Sequence, residues 1–109
     1  MPGELRLEPS ALTVVLHGEL DLVTIERLRT LLDAAVSRHP GRLVIDLSDV
    51  PFVDVLSLSA MLAATDHVRD DGGIAVVRGA SPSVRRMCAL FNAGDVLPVD
   101  LPLPRSAVC

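Results

Sequence analysis

The stretch FVDVLSLSAML, residues 52–62, contains the side chains with the clearest potential for chemistry. It passes from an apolar, strand-like segment through Asp54 into a helical pattern that carries hydroxyl groups at Ser57 and Ser59. The first turn of a helix has unpaired backbone N–H groups and the positive end of the helix dipole, which together stabilise a carboxylate or a phosphate. The stretch therefore suggests either an anion-binding helix start or a serine that is modified by phosphorylation.

Acidic residues also precede the first predicted helix. Asp21 and Asp54 each stand where a helix N-cap is expected, and each is also a candidate for contact with a partner. Glu19 lies in a short loop beside the predicted strand ends, where an exposed carboxylate could pair with an arginine across an interface. The loop of residues 18–24, which ends at Thr24, and the loop of residues 51–59 therefore contain candidate contact residues.

Other kinds of site find little support in the sequence. His17, His39 and His67 are scattered over a strand end, a helix end and a helix face, so we predict no metal site. No Ser/His/Asp or Cys/His set has usable spacing, and the pair Gly72 and Gly73 indicates a helix end, not a phosphate loop. We therefore predict neither enzymatic activity nor a cofactor.

The two cysteines match neither a disulfide framework nor a metal motif. Cys88 falls on the apolar stripe of the third predicted helix and is interpreted as a small core residue. Cys109 is interpreted as a free terminal thiol. The alternative is a redox-active disulfide between the two, which would require the tail to fold back onto that helix.

Composition excludes several classes of function. The 109 residues are 50% hydrophobic, which is enough apolar material for one domain core, and they carry a formal net charge of -4 with acids and bases interspersed. With two phenylalanines as its only aromatic residues and no basic run, the chain is not expected to bind nucleic acid. No apolar run reaches the roughly 18 residues of a membrane span, and the amino terminus shows no signal pattern. We therefore expect a cytoplasmic protein with no membrane insertion.

The hydrophobic pattern predicts an alternation of strands and helices. Strand-like stretches occupy residues 4–7, 12–17, 42–48 and 74–77, with a weaker one at 96–99. Three helical patterns are present. The first has apolar residues at helical spacing from Ile25 to Val36, with Asp21 as its cap and Pro40 and Gly41 as its stop. The second ends at Gly72 and Gly73, and the third has Ser81 as its cap and Pro82 in its first turn. This order predicts an α/β fold with a mixed four- to five-stranded sheet and helices packed on it. Residues 1–100 are expected to form a single domain and residues 101–109 a loose tail.

Three segments resemble the STAS domain of bacterial anti-sigma factor antagonists. They are HGELDLVTIERL at 17–28, LVIDLSDVPFVD at 43–54 and GASPSVRRMCALFNAGDVLPV at 79–99, and the resemblance extends over residues 12–99. It implies a STAS-like fold and a regulatory protein-binding module that is not an enzyme. It also implies a partner, an anti-sigma factor of kinase-like fold, which the module would bind so that a sigma factor is freed.

The resemblance places a phosphorylation switch at the start of the second helix. The family loop usually reads Asp-Ser-Ser-Gly-Leu, and the second serine is phosphorylated by the anti-sigma factor. Here Asp54 keeps the aspartate, but Val55 and Leu56 occupy the two serine positions and Ser57 occupies the glycine position. Leu56 has no oxygen to phosphorylate, so we predict binding without the usual switch, with Ser57 as the displaced alternative acceptor. We interpret Ser57 and Ser59 as first-turn residues on the solvent face of the helix.

The predicted partner-binding residues are those of the two loops and of the helix start: Glu19, Asp21, Thr24, Asp54, Val55, Leu56, Ser57 and Ser59. Two other functions remain open at this point. One is a STAS-like subunit or scaffold of a membrane transporter or a signalling complex, which needs no phosphoserine. The other is a sensor of a small anionic ligand that uses the same helix start.

Overall fold

The computed structural model describes residues 3–8 and 11–90. Within them the chain forms four strands and three helices that alternate as the hydrophobic pattern predicts. The bounds are Gly3–Glu8 for β1, Ala11–His17 for β2, Ile25–Val36 for α1, Arg42–Asp49 for β3, Val55–Asp70 for α2, Ile74–Arg78 for β4 and Pro82–Leu90 for α3.

The four strands form one mixed sheet in the order β1-β2-β3-β4. β1 and β2 are antiparallel, as their short connection requires, whereas β2, β3 and β4 are parallel. Each parallel pair is joined through a helix, and α1 and α2 pack against each other on one face of the sheet. The predicted mixed sheet is confirmed with four strands, and the fifth candidate at residues 96–99 lies outside the described residues.

One apolar cluster lies between the sheet and the helices. On α1 the buried residues recur with the helical period, at Ile25, Leu28, Leu31, Leu32 and Ala35. The cluster continues with Leu16 and Ile45 from the sheet, Met61 from α2 and Val84 from α3. Burial of a leucine or valine side chain stabilises the fold by about 1.5–3 kcal/mol. This core holds the strand ends from which the candidate site is built.

The sequence predicts Asp21 as the N-cap of α1, and this is wrong. The helix begins at Ile25, so Thr24 occupies the N-cap position, without a hydrogen bond from its side chain to the helix. The Asp21 carboxylate accepts hydrogen bonds from two backbone N–H groups that precede the helix, those of Val23 and Thr24. Asp21 therefore stabilises a turn that precedes the helix.

An ion pair joins the carboxyl-terminal parts of β3 and β4. Arg78 Nη2 lies 3.2 Å from Asp46 Oδ2, and Ser48 donates hydrogen bonds to Asp46 Oδ1 from its hydroxyl at 2.7 Å and from its N–H at 2.9 Å. Partial burial alone would raise the pKa of Asp46, but the hydrogen bonds from Ser48 and the contact with Arg78 outweigh it and lower that pKa. The carboxylate stays charged and fixes β3 just before the loop that leads to α2.

Several predictions fall beyond the part of the chain that the structure describes. These are the domain end near residue 100, the tail at 101–109, Cys109 and the side chain of Cys88, so the redox interpretation stays a prediction. Among residues 3–8 and 11–90, none of the helices has the length and apolar character to cross a membrane.

Candidate functional site

The loops before α1 and α2 lie side by side at the carboxyl ends of β2 and β3. Beyond the regular strand pairing, Leu20 and Val53 form an isolated parallel bridge. The Leu20 N–H donates to the Phe52 carbonyl oxygen at 2.9 Å, and the Leu20 carbonyl oxygen accepts from the Asp54 N–H at 3.0 Å. The side chains of Leu20 and Val53 are buried, so the bridge anchors both loops to the core. The two loops of the predicted partner surface are thus adjacent.

The start of α2 is closed by a side-chain cap. Asp54 has an extended backbone, its Oδ1 accepts from the Ser57 N–H at 2.8 Å, and its carbonyl oxygen accepts from the Leu58 N–H at 2.9 Å. The prediction that Asp54 is an N-cap is confirmed. Because this carboxylate already lies at the positive end of the helix, it opposes the binding of an external anion there.

The loop before α1 contains a tight turn that is held by hydrogen bonds between Asp21 and Thr24. Asp21 Oδ1 accepts from the N–H groups of Val23 at 3.0 Å and Thr24 at 3.3 Å, and the Asp21 N–H donates to Thr24 Oγ1 at 3.1 Å. The Thr24 N–H also donates to the Asp21 carbonyl oxygen at 3.1 Å, which is the hydrogen bond of a β-turn. Leu22 and Val23 are therefore held at the tip of this turn.

Five large apolar side chains are exposed on the two loops and the first turn of α2, and we call them the apolar patch. They are Leu22 (70% exposed), Val23 (88%), Phe52 (43%), Val55 (45%) and Leu56 (46%). Leu22 and Val55 each follow a residue of the Leu20–Val53 bridge by two positions, so the parallel pairing carries both halves of the patch to the same end of the sheet. The five exposed apolar side chains therefore lie at one end of the sheet, on two adjacent loops and the helix start.

The sequence prediction named Val55 and Leu56 as contact residues but not the other three members of the apolar patch, although they lie within the two predicted loops. One local signal was available for Leu22 and Val23. They occupy the central positions of a turn that begins with an aspartate, where polar residues and glycine are usual. For Phe52 there was no such signal, because its exposure depends on the path of the loop between β3 and α2.

Acidic residues accompany the apolar patch, and we call Glu19, Asp21, Asp49 and Asp54 the acidic rim. Residues 18–24 and 49–56 contain these four acids and no lysine or arginine. Glu19 is exposed, as predicted. The Asp49 side chain is 73% exposed, and its Oδ2 lies 3.3 Å from His17 Nδ1. These two segments therefore combine exposed apolar side chains with negative charge.

The prediction that Ser57 lies on the solvent face is wrong. Its side chain is 0% exposed, and its Oγ has no hydrogen-bond partner. Helical spacing explains the burial, because Ser57 shares the core-facing stripe of α2 with Met61, Ala64 and Val68, which follow it by four, seven and eleven positions. Ser57 is thereby removed from the accessible surface, whereas Ser59 is exposed as predicted.

Ser57→Ala is expected to raise the free energy of unfolding by about 1 kcal/mol, because it removes a buried hydroxyl that lacks a hydrogen bond. Chemical denaturation of the parent chain and the variant measures the difference. Ser59→Ala is the matched control, since Ser59 is exposed two positions away, and it should change stability by less than about 0.5 kcal/mol. Destabilisation by Ser57→Ala would show that the hydroxyl has a stabilising contact.

Two of the three histidines contact one carboxylate, that of Asp71, and the third contacts a carboxylate at the other end of the sheet. His39 Nδ1 and His67 Nε2 lie 3.4 Å and 3.7 Å from Asp71 Oδ2, and His17 contacts Asp49 at the other end of the sheet. Within the described residues, no group of three or more His, Cys, Asp or Glu side chains could hold a metal ion. The candidate site itself offers exposed apolar side chains and carboxylates.

Comparison with known proteins identifies a family and several similar proteins. The sequence profile of the family described as "Mlab, STAS domain" matches residues 4–99. An anti-sigma F factor antagonist of Paenibacillus polymyxa is 27% identical over 97 residues, which cover 88% of this chain and 83% of that protein. The crystal structure of an anti-sigma factor antagonist from Mycobacterium paratuberculosis is 28% identical, with a TM-score of 0.83 over 93% of this chain and 86% of that one.

The same fold also occurs in a protein of another class. A sulfate transporter family protein from Wolinella succinogenes is 17% identical, with a TM-score of 0.69 over 84% of this chain and 75% of that one. At this identity the likeness concerns the fold alone. The fold therefore does not distinguish a sigma-factor regulator from a transporter subunit. That distinction depends on the exposed residues of the site.

Proposed function

The chain belongs to the STAS-domain family, and we propose that it acts as an anti-sigma factor antagonist, a regulatory module that binds an anti-sigma factor and so frees a sigma factor. Its similarity to anti-sigma factor antagonists over most of its length supports this class. In this proposal the protein works in the cytoplasm, performs no catalytic step and needs no cofactor. Its partner is an anti-sigma factor of kinase-like fold.

The exposure of Leu56 is the observation that carries the proposal. Leu56 occupies the family position of the phosphorylated serine, and it is half-exposed on the first turn of α2, beside the Asp54 cap. Here that position offers an apolar side chain in place of a hydroxyl. Leu56 would be available to the partner at all times, because no phosphate can be added at this position to break the contact by its charge. The other proposed contact residues with accessible side chains are Glu19, Asp21, Thr24, Asp54, Val55 and Ser59.

Incubation with ATP and an anti-sigma factor kinase is expected to leave the mass of the parent chain unchanged. Leu56 has no hydroxyl, and the hydroxyl of Ser57 is buried. Intact-mass spectrometry measures the outcome, with a serine-bearing antagonist of the same kinase as positive control. Leu56→Ser restores a hydroxyl at the exposed position and should gain about 80 Da. The same gain on the parent chain, mapped to Ser57, would contradict the prediction and indicate a switch in a shifted register.

Reconstitution tests the proposed function directly. Complexes of each anti-sigma factor of the source genome with its sigma factor are titrated with the chain and separated by size-exclusion chromatography. We expect the chain to release the sigma factor from one of these complexes. Release from none of them would contradict the proposal, and recovery of the chain with a transport protein from native extract would support the STAS-like subunit or scaffold instead.

A further inference from the structure

We infer that the apolar patch and the acidic rim form one docking surface for a protein that is apolar at the centre of its own interface and rich in arginine or lysine at its margin. The inference rests on the proposed function, because it describes the chemistry that the partner must present to the same end of the molecule. It adds Leu22, Val23 and Phe52 to the contact surface.

The turn at residues 21–24 makes one half of this surface rigid before any partner binds. The hydrogen bonds between Asp21 and Thr24 fix the backbone on both sides of Leu22 and Val23. Binding is favoured when a partner removes exposed apolar side chains from water. Because the backbone of this turn is already ordered, less conformational entropy is lost on binding than with a mobile loop. The geometry is that of a preformed apolar anchor.

The second half of the surface comes from α2. Val55 and Leu56 lie on the first turn of a 16-residue helix whose start is fixed by the Asp54 cap. The Leu20–Val53 bridge, with its hydrogen bonds of 2.9 Å and 3.0 Å, holds this turn beside the loop of Leu22. A partner that covers Leu56 is therefore expected to cover Leu22 and Val23 in the same interface.

The negative charge of the acidic rim favours some binding partners over others. Four acids and no lysine or arginine lie in the two loop segments, so basic groups on a partner find complementary charge. Two copies of the chain joined through this surface would bring two acidic rims together, and the net charge of -4 on each chain would add to the repulsion. The same negative charge opposes an anionic lipid surface or a free phosphate. The favoured occupant is a different protein with a basic margin.

The experiment compares the parent chain with one variant of the apolar patch and one variant of the acidic rim. Leu22→Ser/Val23→Ser removes the apolar turn, and Glu19→Lys/Asp49→Lys reverses two charges of the rim. Two matched controls lie away from the surface. Leu7→Ser changes an exposed leucine of β1 that pairs with Leu12 near the amino end of β2, and Asp70→Lys reverses a charge at the far end of α2. Proteins that the immobilised parent chain retains from native extract are identified, purified and titrated against every variant at low and high salt.

The two sets of variants are expected to affect different rate constants. Reversal of the rim charges should lower the association rate constant by about tenfold and reduce its salt dependence, because long-range attraction guides the encounter. Loss of the apolar turn should raise the dissociation rate constant by about tenfold or more and leave the salt dependence in place. Both controls should bind like the parent chain. Circular dichroism of each variant confirms that the fold is kept.

Each outcome bears separately on the inference and on the proposed function. An anti-sigma factor that binds equally well to the patch and rim variants would overturn the inference and leave the proposed function standing. A protein of another class that responds to both sets of variants would support the inference and contradict the proposed function. Retention of no protein, or a parent dimer in sedimentation that the turn variant abolishes, would overturn the inference.

Discussion

Leu56→Asp is expected to remain folded and to bind an anti-sigma factor at least about 30-fold more weakly than the parent chain, a loss of about 2 kcal/mol. Leu56 is half-exposed, so the substitution does not open the core. A carboxylate at the start of α2 interacts favourably with the helix dipole, which keeps the helix intact. On binding, however, the same carboxylate would have to lose its water against an apolar surface.

Circular dichroism and isothermal titration of the variant measure the two parts of this expectation. Leu56→Ser should lose less affinity, because it removes the apolar contact without adding a charge. Leu7→Asp is the matched control, since Leu7 is 79% exposed and pairs with Leu12 at the opposite end of β2. A folded Leu56→Asp that binds like the parent chain would show that the interface lies elsewhere, and an unfolded one would show that Leu56 supports the core.

Features that depend on local patterns were predictable from the sequence. The helical period identified the buried face of α1, and an aspartate just before the apolar pattern of α2 identified the Asp54 cap. Alternating strands and helices with short connections limited the topology to a mixed sheet. The physical reason is the same in each case, because hydrogen bonds and burial within one element depend on residues that are close in sequence.

The errors arose where a residue satisfies two patterns or where distant segments meet. Ser57 fits two patterns, that of a polar first turn and that of the buried face of α2 that includes Met61. In the structure it lies on the buried face. Asp21 precedes an apolar period as an N-cap does, but it bonds to the nearer N–H groups of Val23 and Thr24. The bridge between Leu20 and Val53 joins residues that are 33 positions apart, which no local pattern reveals. The apolar patch depends on that bridge.

Leu20→Ala is expected to lower the free energy of unfolding by about 2–5 kcal/mol, which is the usual range for a fully buried leucine. Leu20 is 0% exposed, and both its N–H and its carbonyl oxygen form hydrogen bonds with the loop before α2. A domain of this size has a total stability of about 5–15 kcal/mol, so this single side chain accounts for a considerable share. Urea denaturation, monitored by circular dichroism, measures the change. A loss below about 1 kcal/mol would contradict the view that this residue anchors the loop.

Leu22→Ala supplies the matched comparison, because the same side chain is removed two positions further along the chain. Leu22 is exposed at the tip of the turn, so its loss should change stability by less than about 0.5 kcal/mol. It should nevertheless weaken partner binding by about tenfold, since the tip belongs to the inferred docking surface. Leu20→Ala, measured at a temperature at which it is fully folded, should weaken binding less, because the turn closed by Asp21 and Thr24 keeps its own hydrogen bonds. Equal destabilisation by the two variants would instead make Leu22 a core residue and would remove one half of the apolar patch.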